Sequence, residues 1–279
     1  MSQPIETAGA SLAQVDPVWD RIRREAEDWA RSEPLLASYL HAAILNHRSF
    51  ESSLSYHLAE KLANDQVGAM LLQQVFDDAY DHTPEIAETV RADIVAVFDR
   101  DPACDFFLQP LLYFKGFQAI EGYRVAHWCW TQGRIAMAYH LQSRISEVFG
   151  VDIHPNAKIG RGVMMDHATS VVIGETAVVG DDVSMLHSVT LGGTGKEDGD
   201  RHPKIGRGVM LGAGAKVLGN ITVGNCARVA AGSVVTKAVP ANTTVAGVPA
   251  KVIGEAGCPE PARSMDQMVG GCEDEGAAI

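Results

Sequence analysis

Residues 159–164 read IGRGVM, and residues 205–210 repeat the same six letters. The match is the tightest instance of a looser pattern running from Ile153 to Val235, with an aliphatic residue at every sixth position and a small or β-branched residue four places later. A helix would space apolar residues by three and four, and a half-buried strand by two. A Gly-rich period of six fits neither, and belongs instead to parallel β-helices, whose short strands wrap into stacked coils.

The aliphatic series is Ile153, Ile159, Met165, then, after a slip of two residues, Ile173, Val179, Met185 and Leu191. It resumes at Ile205, Leu211, Val217, Val223, Val229 and Val235. The companion series is Ala157, Val163, Thr169, Ala177, Val183, Val189, Val209, Ala215, Ile221, Ala227, Ser233 and Val239. Both series are expected to point inward, large beside small, because a narrow core packed to crystal density has no room for two large residues per position. Glycines follow the aliphatic residue at 160, 174, 180, 192, 206, 212 and 224, where tight corners are expected. Leu191 and Ile205 are fourteen apart, so eight extra residues leave the solenoid there, in a loop spanning 192–204. An insertion in an otherwise regular array is where function concentrates.

Residues 1–150 have a different character. Thr83 and Pro84 open a helix carrying Ile86, Val90, Ile94 and Val97 on one face. Further helices are expected over 17–31, 34–47, 51–63, 66–80, 110–131 and 134–149. The chain therefore reads as α+β: a helical N-terminal region (1–150), a β-helix (151–254), and a tail (255–279) rich in Gly, Pro and acid and expected to be mobile.

Charge is uneven along the chain. Residues 1–150 carry 12 basic and 21 acidic groups, 151–254 carry 10 and 8, and 255–279 carry 1 and 6, for a total of −12. That balance disfavours a nucleic-acid partner, which needs many basic contacts. A small anion held by Lys216, Lys237 or Lys251 is compatible with it, as is their being solvated surface residues. No apolar run approaches the roughly 20 residues that span a bilayer, and the N-terminus has neither the basic start nor the apolar core of a secretion signal. The five scattered cysteines form no CxxC pair, which suits reduced thiols and a cytoplasmic protein.

Polar residues interrupt the repeat at Asp152-Ile153-His154-Pro155, at Asp166-His167-Ala168-Thr169 and at Gly199-Asp200-Arg201-His202-Pro203. Asp152 and His167, fifteen apart, are expected on neighbouring coils about 4.8 Å apart. A carboxylate there would orient an imidazole as a base; the same spacing equally suits a capping carboxylate and a surface histidine. His154, His167, His187 and His202 lack the convergence zinc needs, so no metal is expected.

The segments VDIHPNAKIGRGVMMDHATSVVIGETAVVG and SVTLGGTGKEDGDRHPKIGRGVMLGAGAKVLGNITVG resemble the bacterial serine O-acetyltransferases of the hexapeptide-repeat acyltransferase superfamily. The likeness extends through RDPA (100–103), PLLYFKGFQA (110–119) and AGVPAKVIG (246–254), and so covers most of the chain. Ser170 departs from the family's usual Gly after DHAT. The resemblance implies a left-handed β-helix and acetyl transfer from acetyl-CoA to the hydroxyl of L-serine, in cysteine biosynthesis. It implies His167 as general base with Asp152 as its partner, Asp101 and Asp166 on the serine ammonium, and Arg201 and His202 near its carboxylate. Gly193, Thr194, Gly212, Ala213 and Lys251 would line the acetyl-CoA groove. It further implies a hexamer of paired trimers, with the helical region joining the trimers and completing the serine site. L-cysteine would be a feedback inhibitor in the serine site, and a C-terminal Ile279 would insert into O-acetylserine sulfhydrylase. No cysteine sits beside an activating histidine, so direct transfer in a ternary complex is expected. The competing readings are an acyltransferase for a sugar or antibiotic and a noncatalytic scaffold. The former usually lacks the helical region, and the latter leaves Asp152, His167 and His202 unexplained.

Overall fold

The structure is a computed structural model and describes residues 16–195 and 198–267. The helical region comprises α1 (Pro17–Ser32), α2 (Ala37–Leu40), α3 (Phe50–Leu62), α4 (Ala69–His82), α5 (Pro84–Arg100), α6 (Leu108–Leu112), α7 (Lys115–Thr131) and α8 (Ile135–Phe149). α1 starts where Asp16 accepts hydrogen bonds from the backbone N–H groups of Val18 and Trp19, both at 3.2 Å, with Pro17 in the first turn. The other oxygen of Asp16 pairs with Arg91 at 2.6 Å and ties α1 to α5. α5 does begin at Pro84, but the Thr83 side chain makes no capping bond.

Two expected helices are broken. The stretch 34–47 divides into a 3-10 turn (Pro34–Leu36), α2 and a wider π turn (His41–Leu45). Arg23 of α1 donates to the carbonyls of Leu45 and His47 at 3.3 and 2.7 Å, which ends the run. The stretch 110–131 breaks at Tyr113 and Phe114, so that α7 can start against the solenoid. There a Cβ on Gly116 would stand 2.0 Å from the carbonyl oxygen of Met165, and only glycine permits that approach.

Gly150, at φ 68°, closes α8 in the left-handed conformation. The first coil then follows, with β1 (Val151–Ile153), β2 (Lys158–Ile159) and β3 (Met164–Met165). Next come β4 (Val171–Ile173), β5 (Val178–Val179) and β6 (Ser184–Met185); β7 (Thr190–Gly192), β8 (Lys204–Ile205) and β9 (Met210–Leu211); and β10 (Lys216–Leu218), β11 (Thr222–Val223) and β12 (Arg228–Val229). The last coil holds β13 (Val234–Val235) and β14 (Thr243–Gly247), against which β15 (Ala250–Glu255) folds back antiparallel. Three parallel faces result: β1-β4-β7-β10-β13, then β2-β5-β8-β11, and β3-β6-β9-β12-β14 with β15 at its end.

The registers reproduce the arithmetic of the repeat. Val172 pairs with Thr190, an offset of 18; Val151 with Val171, an offset of 20 that absorbs the slip; and Ser184 with Met210, an offset of 26 that absorbs the insertion. The aliphatic series is buried except for half-buried Ile159. In the companion series Thr169 is exposed and Ala168 is buried in its place. The corner glycines also have a different reason from the one expected. Gly160, Gly180, Gly206, Gly212 and Gly224 are not in the left-handed region. A Cβ on any of them would come within 2.4–2.8 Å of a backbone nitrogen in the next coil, so close stacking of coils excludes side chains there.

Residues 255–267, expected to be mobile, pack back on the solenoid. Ala256 and Ala262 are buried, the Ser184 hydroxyl donates to the Ala262 carbonyl at 2.7 Å, and Arg228 meets Asp266 at 3.1 Å. Short α9 (Pro261–Ser264) lies in this stretch. Acidic composition did not prevent docking because basic Arg228 supplies the partner.

Beneath α6, His57 is buried against Gln118, whose side-chain nitrogen is 3.2 Å from its Nε2. Burial, aided by Lys61, pushes its pKa from the ordinary 6.5 down to about 4. The unfolded chain therefore takes up this proton first. Stability is complete above pH 6.5 and is lost as the pH falls toward 4, by roughly 3 kcal/mol from this residue. Urea midpoints measured between pH 7 and 4 should fall less steeply for His57→Gln than for the wild type; parallel curves would contradict the assignment.

Candidate active site

The solenoid has two edges bordering its first face, and the polar clusters divide between them. His167 and His187 stack on the edge between the third and first faces, their ring centroids 6.2 Å apart and nearly perpendicular. Gly212 and Ala213 follow β9 on that same edge, where the Gly214 N–H donates to the His187 carbonyl at 2.9 Å. Glu175, Thr176, Arg201 and His202 lie on the edge between the first and second faces, together with Gly193 and Thr194, which follow β7.

The first edge is built under strain. Asp166, His167, Ala168 and Thr169 form two overlapping γ-turns, with the Ala168 N–H donating to the Asp166 carbonyl at 2.6 Å and the Thr169 N–H to the His167 carbonyl at 2.7 Å. His167, Ala168 and Ser170 have φ of 55°, 55° and 63°, a region costly for residues with a Cβ. This double turn is the two-residue slip in the repeat. It swings Ala168 inward, Thr169 outward, and leaves the His167 side chain 77% exposed. Ser170 thus occupies a left-handed position suited to glycine.

His167 faces a cavity of about 840 Å³ between the helical region and the solenoid, shared with Asp101, Lys115, Asp166 and Arg263. Asp101 follows α5 and accepts from the Ala103 N–H at 2.8 Å. Asp166 lies 3.8 Å from the His167 Nε2. Burial raises the Asp166 pKa, against the pull of His167, and the charge of Asp101 raises it further. Asp99 also lines the cavity and faces Arg263 at 4.0 Å, whereas among the described residues no lysine or arginine pairs with Asp101 or Asp166, which suits an ammonium group. Lys115 donates to Thr169 Oγ1 and braces the turn; nothing in its sequence context signalled that contact.

The second edge suits an anion. Arg201 pairs with Glu175 at 2.7 Å, holding the Glu175 carboxyl below its usual range. His202 is buried, with its pKa lowered by burial and by Arg201. The only sequence signal for Glu175 and Thr176 is that a polar pair follows the corner glycine at the coil facing the insertion. Lys251 is exposed on β15, paired in register with Ala246.

Asp152 does not meet His167 within the chain. Register places Asp152 at the centre of β1, opposite Val172, and its Oδ1 accepts from Gln142 of α8 at 2.8 Å. Fifteen residues fall short of the twenty-residue offset of this coil, so the two share one coil rather than neighbouring ones. The two edges are separated by a strand of three residues at about 3.3 Å each, roughly 10 Å or more. No single chain brings Asp152, His167 and His202 into contact among the described residues.

No group of three or more His, Cys, Asp or Glu among the described residues could hold a metal ion, and no described helix is long and apolar enough to cross a membrane.

Residues 18–122 match the family model described as serine acetyltransferase, N-terminal, and residues 202–237 the model for the bacterial transferase hexapeptide (six repeats). A serine acetyltransferase of Salmonella typhimurium is 54% identical over 92% of this chain and 94% of its own. The crystal structure of a Brucella abortus serine acetyltransferase in complex with coenzyme A is 57% identical, with a TM-score of 0.87 over 89% of this chain and 100% of that one. A serine acetyltransferase solved in complex with cysteine is 52% identical, with a TM-score of 0.89 over 90% and 98%.

Proposed function

The chain belongs to the serine acetyltransferase family, and from that premise we propose that each of its active sites is shared by two copies. The enzyme acetylates the hydroxyl of L-serine, with acetyl-CoA as co-substrate. The observation that carries the shared site is the division of its candidate residues between opposite edges of one solenoid face. Asp101, Asp166, His167, Gly212 and Ala213 go with one edge, and Arg201, His202, Gly193 and Thr194 with the other. Packing one copy's first edge against its neighbour's second edge places an ammonium subsite opposite a carboxylate subsite. That polarity fits an amino acid with its hydroxyl between them.

In this arrangement Asp101 and Asp166 hold the serine ammonium while Arg201 and His202 hold its carboxylate. His167 takes the hydroxyl proton as the serine oxygen bonds to the acetyl carbon, and returns it to the sulfur as the carbon–sulfur bond breaks. The thioester supplies an activated acetyl group and a thiolate leaving group. Asp152 serves as the partner that orients His167, reached across the interface or after Gln142 yields. Lys251 and the glycine corners border the groove for acetyl-CoA. L-cysteine, with the same ammonium and carboxylate as serine, competes for the same subsites.

A heterologous edge-to-edge contact of this kind closes into a ring, here a trimer. Exposed Leu35, Met70 and Leu71 in the helical region, at 92%, 81% and 56%, support pairing of trimers into a hexamer. The four described cysteines are unpaired, which supports a cytoplasmic location. Ile279 lies outside the described residues; its apolar side chain is proposed to anchor O-acetylserine sulfhydrylase. Deleting Ile279 should abolish capture by the sulfhydrylase, and unaltered capture would refute the role.

Release of CoA thiol with serine, homoserine, a galactoside or no acceptor tests the activity. Serine-dependent release well above the others is expected; faster turnover with the galactoside would replace this reading with a sugar acyltransferase.

A further inference from the structure

Thr176 stands at the centre of the second edge, and the residues it grips are the two assigned to the substrate carboxylate. Its Oγ1 accepts from the backbone N–H groups of Arg201 and His202, at 3.0 and 3.1 Å. The same oxygen lies 2.9 Å from His202 Nδ1, and the Thr176 backbone N–H donates to that Nδ1 at 3.2 Å. A backbone N–H can only donate, so Nδ1 must be an acceptor, and the single proton of the neutral ring sits on Nε2.

The ring's seat is shaped to match. A Cβ on Gly174 would stand 2.0 Å from Nε2, so any larger residue would displace the imidazole. Nε2 has no hydrogen-bond partner among the described residues, yet is not among the unpartnered atoms sealed from solvent. Lys204 reinforces the corner by donating to the Thr176 carbonyl at 2.9 Å, and the Asn220 amide holds the Asp200 carbonyl at 3.0 Å.

We propose that Thr176 is the positioning residue that fixes the tautomer and orientation of His202, so that Nε2–H is presented as a donor to the carboxylate of the amino-acid substrate. The proposal rests on the reading of His202 as a carboxylate contact. Thr176 is assigned no substrate contact of its own; it acts through the imidazole of His202.

Steady-state kinetics on the full-length enzyme separate these ideas. Thr176→Val, which keeps the shape and loses the hydroxyl, is expected to raise the KM for serine about tenfold or more while kcat changes by only a few fold. Thr176→Ser should restore most of the loss, and Thr176→Ala should resemble the valine variant, since both lack the hydroxyl whether or not the β-branch is kept. In a His202→Ala background, Thr176→Val should add less than about twofold, because the group it positions is gone. An unchanged serine KM in both Thr176→Val and Thr176→Ala, or a full further loss in the His202→Ala background, would overturn the proposal. If His202→Ala itself leaves the serine KM unchanged, the underlying carboxylate contact falls, and the proposal with it.

Discussion

Replacing His167 by alanine is expected to lower kcat by about 10²–10⁴, the contribution of a positioned general base, with the melting temperature nearly unchanged. The side chain is 77% exposed, so its removal leaves no cavity. The backbone at φ 55° tolerates asparagine better than most residues, and His167→Asn guards against an effect of strain. Serine-dependent thiol release measures both variants. Rates within a few fold of wild type in both would remove His167 from the chemistry. The strained double turn gives this expectation its structural weight: three residues are held in left-handed conformations, with the net result of projecting one imidazole beside a cavity lined by Asp99, Asp101 and Asp166.

The second large effect concerns stability. Asp93 of α5 is fully buried, accepts the Val163 N–H of the first coil at 2.8 Å, and pairs with Arg124 of α7 at Nε, also 2.8 Å. Arg124 donates onward to the Gly160 carbonyl at 2.8 Å. One ion pair thus joins two helices to the solenoid. Glu121 lies 3.4 Å from Arg124, and burial together with the charge of Asp93 drives its pKa well above the ordinary carboxylate range, which favours its protonated form. Asp93→Ala strands the arginine charge and a backbone N–H, at a cost of about 3–5 kcal/mol, which lowers Tm on the order of 10 °C. Glu121→Gln, which keeps the shape and matches the protonated form that burial favours, should cost about 1 kcal/mol or less. Thermal melts at equal protein concentration compare the two. Equal losses would mean that Glu121 is charged and the pair is not the principal tie.

The stacking of the coils was legible in the sequence because a six-residue period leaves one way to wrap, and the 18-, 20- and 26-residue registers follow from counting. What the count cannot carry is the backbone of the interruptions. Nothing in DHATS reveals that His167, Ala168 and Ser170 take left-handed φ, because none of them is glycine; hence Thr169 was assigned the inward place that Ala168 occupies. The same blindness placed Asp152 one coil from His167. The corner glycines were recognised as necessary for the wrong reason, since the approach of the next coil is a tertiary constraint. Thr176 and Glu175 went unseen because their partners lie 25–28 residues away, across the insertion. Arg228, which docks residues near Asp266, is likewise a long-range partner that composition of the tail does not disclose.

The division of the site between two edges is the claim on which the rest depends, and mixed oligomers test it directly. His167→Ala and His202→Ala chains, each strongly impaired alone when serine is held below the wild-type KM, are co-expressed with different tags, and the doubly tagged assemblies are isolated and assayed at that serine level. If neighbouring copies share each site, roughly one interface in four pairs an intact His167 edge with an intact His202 edge, and activity should return to about that fraction of wild type. Activity no greater than that of either parent, in assemblies shown to contain both chains, would place the whole site within one chain and contradict the account.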